Sequence, residues 1–284
     1  MSPHPVTALL PTQLPLSLAA PTRHRLLKGG EILKLPATEL SLALCEKANG
    51  LLRKLLGSPY PESLHEIWSP ARLHQAFGAV RRQLHLDPDL RQGYLDLLAS
   101  LELDLNRTAI DQPRLRAVIP GVEAIPAATP MFYAHRDTWY ANSPSQINLW
   151  IPLADYPASQ TFVFWPERFA RAIPNDSAEF DYIHWKANAG FQNPSPAAGS
   201  AFPRALELPA GPPTGFDCRQ GELLLFAAAH LHMSQPNPGP AIRYSLDLRL
   251  VCQDDLEQGL RAPDPDNRSK GSTLPDYNWL DTAR

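Results

Sequence analysis

Four side chains in two separated stretches have the types and spacing to bind a metal ion and an anion. His135 and Asp137 stand two residues apart, His232 lies far downstream, and Arg243 follows His232 by eleven residues. In an extended backbone, residues i and i+2 project to the same side, so His135 and Asp137 can reach one ion. Two histidines and one carboxylate suit Fe(II) and leave coordination positions open. We therefore expect all three to be metal ligands and catalytic residues.

The segment around Arg243 has the chemistry to hold a dicarboxylate. Arg243 and Ser245 share one face of a predicted strand, and a guanidinium with a hydroxyl beside it can clamp a carboxylate. We expect the far carboxylate of 2-oxoglutarate here, with its keto-acid end on the iron and one position left for dioxygen. Gln146 and Asn148 alternate on the strand after His135 and Asp137. They are further candidates for the co-substrate, and a structural role is equally open to both.

Several neighbouring residues are weaker candidates. His230 competes with His232 as the distal metal ligand, and we favour His232 and place His230 beside it or in the substrate pocket. A tight connection after His232 predicts that its strand and the Arg243 strand are antiparallel neighbours. The other candidates for substrate contact are Trp139, Trp150 and Arg168. Each tryptophan can equally be core or pocket wall.

These motifs resemble those of the phytanoyl-CoA dioxygenase family of Fe(II)/2-oxoglutarate oxygenases. That family carries H-x-D, a distal H-x-S-x-x-N and an arginine eleven residues after the histidine. The matching runs here are His135-Arg136-Asp137 and His232-Met233-Ser234-Gln235-Pro236-Asn237, followed by Arg243. The resemblance implies a double-stranded β-helix, a cupin-like jelly roll with flanking helices.

The resemblance also implies a reaction. In it, 2-oxoglutarate is oxidised to succinate and CO2 while a small-molecule substrate is hydroxylated, desaturated or cyclised. The run Phe164-Trp165-Pro166-Glu167-Arg168-Phe169 stands where the family often has Pro-Gly-Ser-His, so acyl-CoA is not assumed as substrate. A natural-product intermediate or an amino-acid derivative suits the aromatic residues near the expected pocket.

The elements that position these residues follow from hydrophobic spacing. Leucines recur at helical spacing from Leu40 to Leu56, with Thr38 as N-cap and Gly57 closing the helix, and further helices are predicted over 69–85 and 87–104. Beyond them, short apolar runs between turn residues predict strands over 115–119, 146–153, 161–165, 222–227 and 243–251. The fold class is therefore mainly β with flanking helices, as a jelly roll requires.

The same pattern divides the chain into four regions. We predict an irregular segment over 1–36, a helical region over 37–114 that packs on the core, a jelly-roll core over 115–255, and a tail over 256–284. The core contains a polar, proline-rich insert over 166–220. Loops of that length within a compact domain are usually functional, so we expect a lid.

Composition limits the partners. The 284 residues are 44% hydrophobic, and the net charge of −3 provides no basic surface for nucleic acid. The 3 cysteines show no CxxC spacing, which argues against a disulfide scaffold and favours the cytoplasm. The first twenty residues are interrupted by prolines and predict neither a signal peptide nor a membrane helix. Oligomeric state does not follow from the sequence.

Two alternatives stay open at this level. One is a cupin-type metal-binding protein that does not use 2-oxoglutarate, and the other is a non-catalytic module that binds a small molecule. Replacing Arg243 separates the first from an oxygenase, because only the oxygenase needs the guanidinium for its co-substrate. Succinate formation excludes the second.

Overall fold

A computed structural model describes residues 7–8, 17–124, 126–188 and 202–280. Most of the first sixteen residues, residues 189–201 of the predicted insert and the last four residues lie outside these ranges. Six α-helices occupy the described residues: α1 Ala20–Leu27, α2 Glu39–Leu56, α3 Pro70–Leu86, α4 Pro88–Ser100, α5 Tyr182–Asn188 and α6 Gln253–Glu257.

The three predicted helices are confirmed, and their ends have local causes. Thr38 caps α2 by accepting a hydrogen bond from the amide of Ser41, and Gly57 ends it in the left-handed conformation. Asp87 caps α4 in the same way, through Leu90. This helix stops at Ser100 rather than 104 because Glu102 takes a φ of 60°, which a helix cannot continue.

The prediction of an irregular segment over 1–36 is wrong for its second half. Residues 20–27 form α1, with Pro21 in the first turn. A backbone N–H in the first turn has no partner within the helix, so a proline is tolerated there. Leu26 and Leu27 are fully buried, and the Arg23 guanidinium binds both carboxylate oxygens of Asp255. Tertiary burial therefore stabilises a helix that its own weak amphipathic pattern does not predict.

Eleven strands are present among the described residues: β1 Thr7–Ala8, β2 Leu33–Leu35, β3 Thr108–Ile110, β4 Arg114–Val118, β5 Ile147–Pro152, β6 Phe162–Phe164, β7 Thr214–Gly215, β8 Leu223–Ala227, β9 His232–Ser234, β10 Arg243–Cys252 and β11 Asn278–Trp279. The larger sheet is antiparallel and has seven strands in the order β11-β3-β10-β5-β8-β2, with β4 also pairing with β10. The smaller sheet has the order β1-β7-β6-β9, and only its β1–β7 pair is parallel. All five predicted strands are present, within a mixed helical and antiparallel-sheet fold.

The long central strand β10 has one apolar and one polar face. Tyr244, Leu246, Leu248 and Leu250 alternate with Arg243, Ser245, Asp247 and Arg249. The apolar set belongs to the main core, with the buried leucines of the helices. The period of two therefore turns the charged set away from the helices, and we call that side of the large sheet its inner face.

An aromatic layer lies on the same side of the large sheet. Trp150 of β5 and Phe226 of β8 pack against Phe162 and Phe164 of the small sheet, with ring centroids 5.3 Å apart for Trp150–Phe162 and 5.0 Å for Phe164–Phe226. The two sheets thus pack together through this layer.

Two expectations about connectivity need correction. The strands β9 and β10 are not neighbours, because β9 pairs with β6 in the small sheet and β10 lies in the large one. The large sheet also takes strands from outside the predicted core: β2 and β3 precede residue 115, and β11 lies in the predicted tail. None of the helices in the described ranges is both long and apolar enough to cross a bilayer.

Candidate metal centre

The structure brings His135, Asp137 and His232 together. A ligating atom from each lies within 4.8 Å of the others, and no other group of this kind occurs among the described residues. The two histidine backbones form an isolated antiparallel bridge, with N···O distances of 2.9 and 3.0 Å. Arg136 between His135 and Asp137 is extended, so both neighbours project to the same side as predicted.

Both histidines present Nε2 to the centre. Nδ1 of His135 lies 2.8 Å from the carbonyl oxygen of Tyr133, and Nδ1 of His232 lies 3.0 Å from that of His230. A carbonyl oxygen only accepts, so each Nδ1 carries the proton and each Nε2 keeps a lone pair for a metal. Burial is the main cause that lowers the pKa of His135 to about 3, which keeps this imidazole neutral.

The carboxylate of Asp137 is held from two sides. Nδ2 of Asn148 donates to its Oδ2 at 2.6 Å, and Nη2 of Arg249 donates to its Oδ1 at 3.2 Å. Burial by itself raises the pKa of Asp137, but the opposing causes, led by the charge of Arg249, outweigh it and hold the pKa below its usual value. Asp137 is therefore an ionised carboxylate 3.8 Å from Nε2 of His135.

Gln146 and Asn148 support Asp137 rather than an open pocket. Nε2 of Gln146 donates to Oδ1 of Asn148 at 2.6 Å, and the Tyr277 hydroxyl donates to Oε1 of Gln146 at 2.5 Å. The sequence predicts both amides as co-substrate contacts, but their hydrogen bonds form a chain that ends on the metal-binding carboxylate.

Arg243 and Ser245 are buried and incompletely satisfied. Nη1 of Arg243 donates to the carbonyl oxygen of Gln160 at 2.5 Å, while its Nε and the Ser245 hydroxyl have no hydrogen-bond partner within the described residues. Burial without a carboxylate partner lowers the pKa of Arg243 to about 10. Since buried polar groups are nearly always paired, these two atoms indicate a site for an anionic ligand.

The other predicted contacts are distributed differently. His230 lies outside the cluster: its Nε2 is 3.0 Å from the Gly30 carbonyl oxygen, its ring packs at a tilt against Phe169, and its own carbonyl orients His232. Trp139 is fully buried and donates to Asp266, so it is core. Trp150 belongs to the aromatic layer, and Arg168 lines a separate cavity of about 190 Å³.

Arg249 and Arg136 are central to the site, although the sequence does not predict either of them there. Arg249 binds Asp137, and its place on the inner face of β10 could have been read from the alternation that selects Arg243 and Ser245. Arg136 is fully buried and pairs with Asp266. It also donates to four backbone carbonyls, those of Arg168, Phe169, Arg171 and Ala229. It thereby ties the His135 segment to the chain leading into His232.

No family model matches this chain, and no curated protein matches it. Similar solved structures include EvdO2 from Micromonospora carbonacea var. aurantiaca, with 11% identity and a TM-score of 0.48 over 96% of this chain and 100% of that chain. Another is EctD from S. alaskensis in its apoform, with 15% identity and a TM-score of 0.46 over 95% and 87%.

A third structure is described as the non-heme alpha ketoglutarate dependent carbocyclase SnoK from nogalamycin biosynthesis. It has 16% identity and a TM-score of 0.46 over 90% of this chain and 96% of that chain. Because these identities and TM-scores are low, the chemistry of this chain has to be argued from its own side chains.

Proposed function

We propose that this protein is a non-haem Fe(II)- and 2-oxoglutarate-dependent oxygenase that acts on a small molecule. His135, Asp137 and His232 would hold the iron, and Arg243 with Ser245 would bind the far carboxylate of 2-oxoglutarate. The observation that supports this most directly is the pair of buried, unpartnered donors on Arg243 and Ser245, on the same face of β10 as Arg249, which binds Asp137 of the three-residue cluster.

The donor set fits the ion. Two neutral imidazole nitrogens and one carboxylate oxygen form the ligand set typical of non-haem Fe(II) sites. With iron and 2-oxoglutarate bound, the centre would use dioxygen to oxidise a substrate C–H bond while 2-oxoglutarate is converted to succinate and CO2. The chain's own groups bind and orient: the Tyr133 and His230 carbonyls fix the two imidazoles, and Asn148 and Arg249 fix the carboxylate.

The remaining assignments are part of the same proposal. We infer that the two packed sheets form a double-stranded β-helix, with residues 115–255 as its main part, 37–114 as a helical region against it and 166–220 as an insert at the site. The buried, unpaired cysteines Cys45, Cys218 and Cys252 support a reducing cytoplasm. Small molecules, rather than nucleic acid, are the expected substrates.

The test is succinate formation by metal-free protein given Fe(II), ascorbate, dioxygen and 2-oxoglutarate. The proposal predicts slow, substrate-independent succinate release that requires Fe(II) and is lost in Asp137→Ala. Arg107→Gln provides a control, because Arg107 binds Asp254 and Glu257 beyond the far end of β10. Metal binding without 2-oxoglutarate binding would favour a cupin-type protein, and the absence of both would favour a non-catalytic module.

A further inference from the structure

The inner face of the large sheet continues beyond the co-substrate residues onto the edge strand β4. In the β4–β10 register, Arg116 is opposite Ser245 and Arg114 is opposite Asp247. Directly opposed residues of an antiparallel pair project to the same face. Arg116 therefore lies on the same side of the sheet as Arg243 and Ser245, one strand further out.

The guanidinium of Arg116 is only partly used. Its Nε and Nη2 both donate to one oxygen, Oδ2 of Asp247, at 3.1 and 3.0 Å, and the side chain is 48% exposed. Nη1 has no partner within the described part of the chain. Arg243 is only 3% exposed, so the two arginines differ in their access to solvent.

Arg116 is linked to the candidate metal cluster through the inner face of β10, because it binds Asp247, and Arg249, two residues further on the same face, binds Asp137. The ring of Tyr140 is 5.2 Å from that of His135 and 5.6 Å from Phe180, which precedes α5. The side chain of His135 is 20% exposed, so the cluster is partly open to solvent, and Tyr140 and Phe180 form an aromatic wall beside it.

The charges around this opening do not balance. Arg114, Arg116, Arg243 and Arg249 are offset by Asp111, Asp137 and Asp247, and a bound Fe(II) and a 2-oxoglutarate dianion cancel each other. An excess of positive charge beside an opening attracts an anion.

We propose that the primary substrate carries a carboxylate or phosphate group and that Arg116 binds it at the solvent-exposed edge of the inner face. This inference rests on the proposed function, because it assumes that Arg243 is already occupied by 2-oxoglutarate. Arg116 is then a specificity residue: it selects for negative charge and sets the end of the substrate that faces away from the iron. The aromatic wall of Tyr140 and Phe180 would contact the body of the substrate.

Matched probes test the charge preference without knowledge of the substrate. The protein is loaded with Zn(II), as a redox-silent replacement, and saturated with 2-oxoglutarate. The affinities of phenylacetate, phenyl phosphate and the neutral phenylacetamide are then measured by calorimetry for the wild type and for Arg116→Gln, Arg116→Lys and Arg107→Gln. Arg107 is the control, because it is also a half-exposed arginine paired with carboxylates.

A charge-assisted contact is worth roughly 1.5–3 kcal/mol, so we expect about a tenfold or greater preference of the wild type for the anions over the amide. Arg116→Gln should abolish that preference, Arg116→Lys should keep part of it, and Arg107→Gln should leave it intact. The inference is overturned if no anion binds at millimolar concentration, if the preference survives in Arg116→Gln, or if Arg116→Gln weakens only 2-oxoglutarate. Failure of the wild type to bind 2-oxoglutarate would instead refute the proposed function.

Discussion

Nη2 of Arg249 donates a hydrogen bond to Oδ1 of Asp137 at 3.2 Å, between residues that are 112 positions apart in the chain. One residue is the carboxylate of the candidate metal cluster, and the other is on the inner face of β10. The contact connects the metal cluster to the strand that carries Arg243 and Ser245. It also explains why a buried carboxylate at this position stays ionised.

Arg249→Gln should make metal binding more sensitive to acid. Without the guanidinium, the pKa of Asp137 rises, so protons compete with the metal at a higher pH. An arginine beside an aspartate commonly lowers the carboxyl pKa by about 1–3 units, so the pH midpoint of Co(II) binding should rise by about one unit or more. An unchanged midpoint in this variant would show that Arg249 does not control the charge of Asp137.

Arg243→Met should weaken 2-oxoglutarate binding and leave metal binding intact. The guanidinium is buried and is the group we assign to the far carboxylate, and losing such a contact costs about 1.5–3 kcal/mol, or roughly 10- to 100-fold in affinity. Titration of 2-oxoglutarate into the Zn(II)-loaded protein measures this. Equal affinities of the variant and the wild type would contradict the assignment of Arg243.

The same variant should stabilise the protein when 2-oxoglutarate is absent. Arg243 is desolvated without a carboxylate partner, which lowers its pKa to about 10, and an apolar side chain of similar length removes that cost. We expect a higher midpoint of urea unfolding for ligand-free Arg243→Met, and little further rise on adding 2-oxoglutarate. A lower midpoint would mean that Arg243 is a structural residue.

Arg136→Gln should destabilise the fold strongly. Arg136 is fully buried, pairs with Asp266 and binds four backbone carbonyls, and removing one partner of a buried ion pair typically costs about 3–5 kcal/mol. Urea unfolding measures the loss. Arg25→Gln is the control, because its pair with Glu31 is partly exposed and should contribute little. Similar losses in both variants would refute the structural role assigned to Arg136.

Buried His230 should make the metal-free protein less stable in acid. Burial lowers the pKa of His230 to about 4. Between about pH 6.5 and pH 4, this histidine is therefore protonated in the unfolded chain but neutral in the folded chain. The free energy of unfolding should therefore fall as the pH drops from about 6.5 towards 4, by on the order of 3 kcal/mol for this group. His230→Gln cannot titrate and should show a flatter pH profile over that range. An identical profile would contradict the prediction.

The pairing of His135 with Asp137, and that of Arg243 with Ser245, was predictable because each depends on a local rule. An extended residue between His135 and Asp137 places both side chains on one side, and the alternation along β10 groups Arg243 with Ser245. The same alternation includes Arg249, but sequence alone does not show that its partner is Asp137 rather than the nearby Asp247. In the structure, Asp247 is bound by Arg116.

Long-range partners account for the errors. From the sequence, Trp139 is a candidate pocket residue. In the structure, its indole N–H donates to Asp266, which is 127 positions away in the chain. The helix α1 depends on the contact of Arg23 with Asp255, 232 positions away. The antiparallel pairing predicted for β9 and β10 fails because residues 235–242 pass from one sheet to the other, which no local pattern reveals.

The most direct test of the whole account is an anomalous diffraction map of crystals grown without oxygen with Fe(II) and 2-oxoglutarate. The account predicts one iron peak bonded to Nε2 of His135, a carboxylate oxygen of Asp137 and Nε2 of His232. It also predicts that the far carboxylate of 2-oxoglutarate contacts the Arg243 guanidinium and the Ser245 hydroxyl. An iron peak elsewhere, or a co-substrate bound away from Arg243, would contradict it.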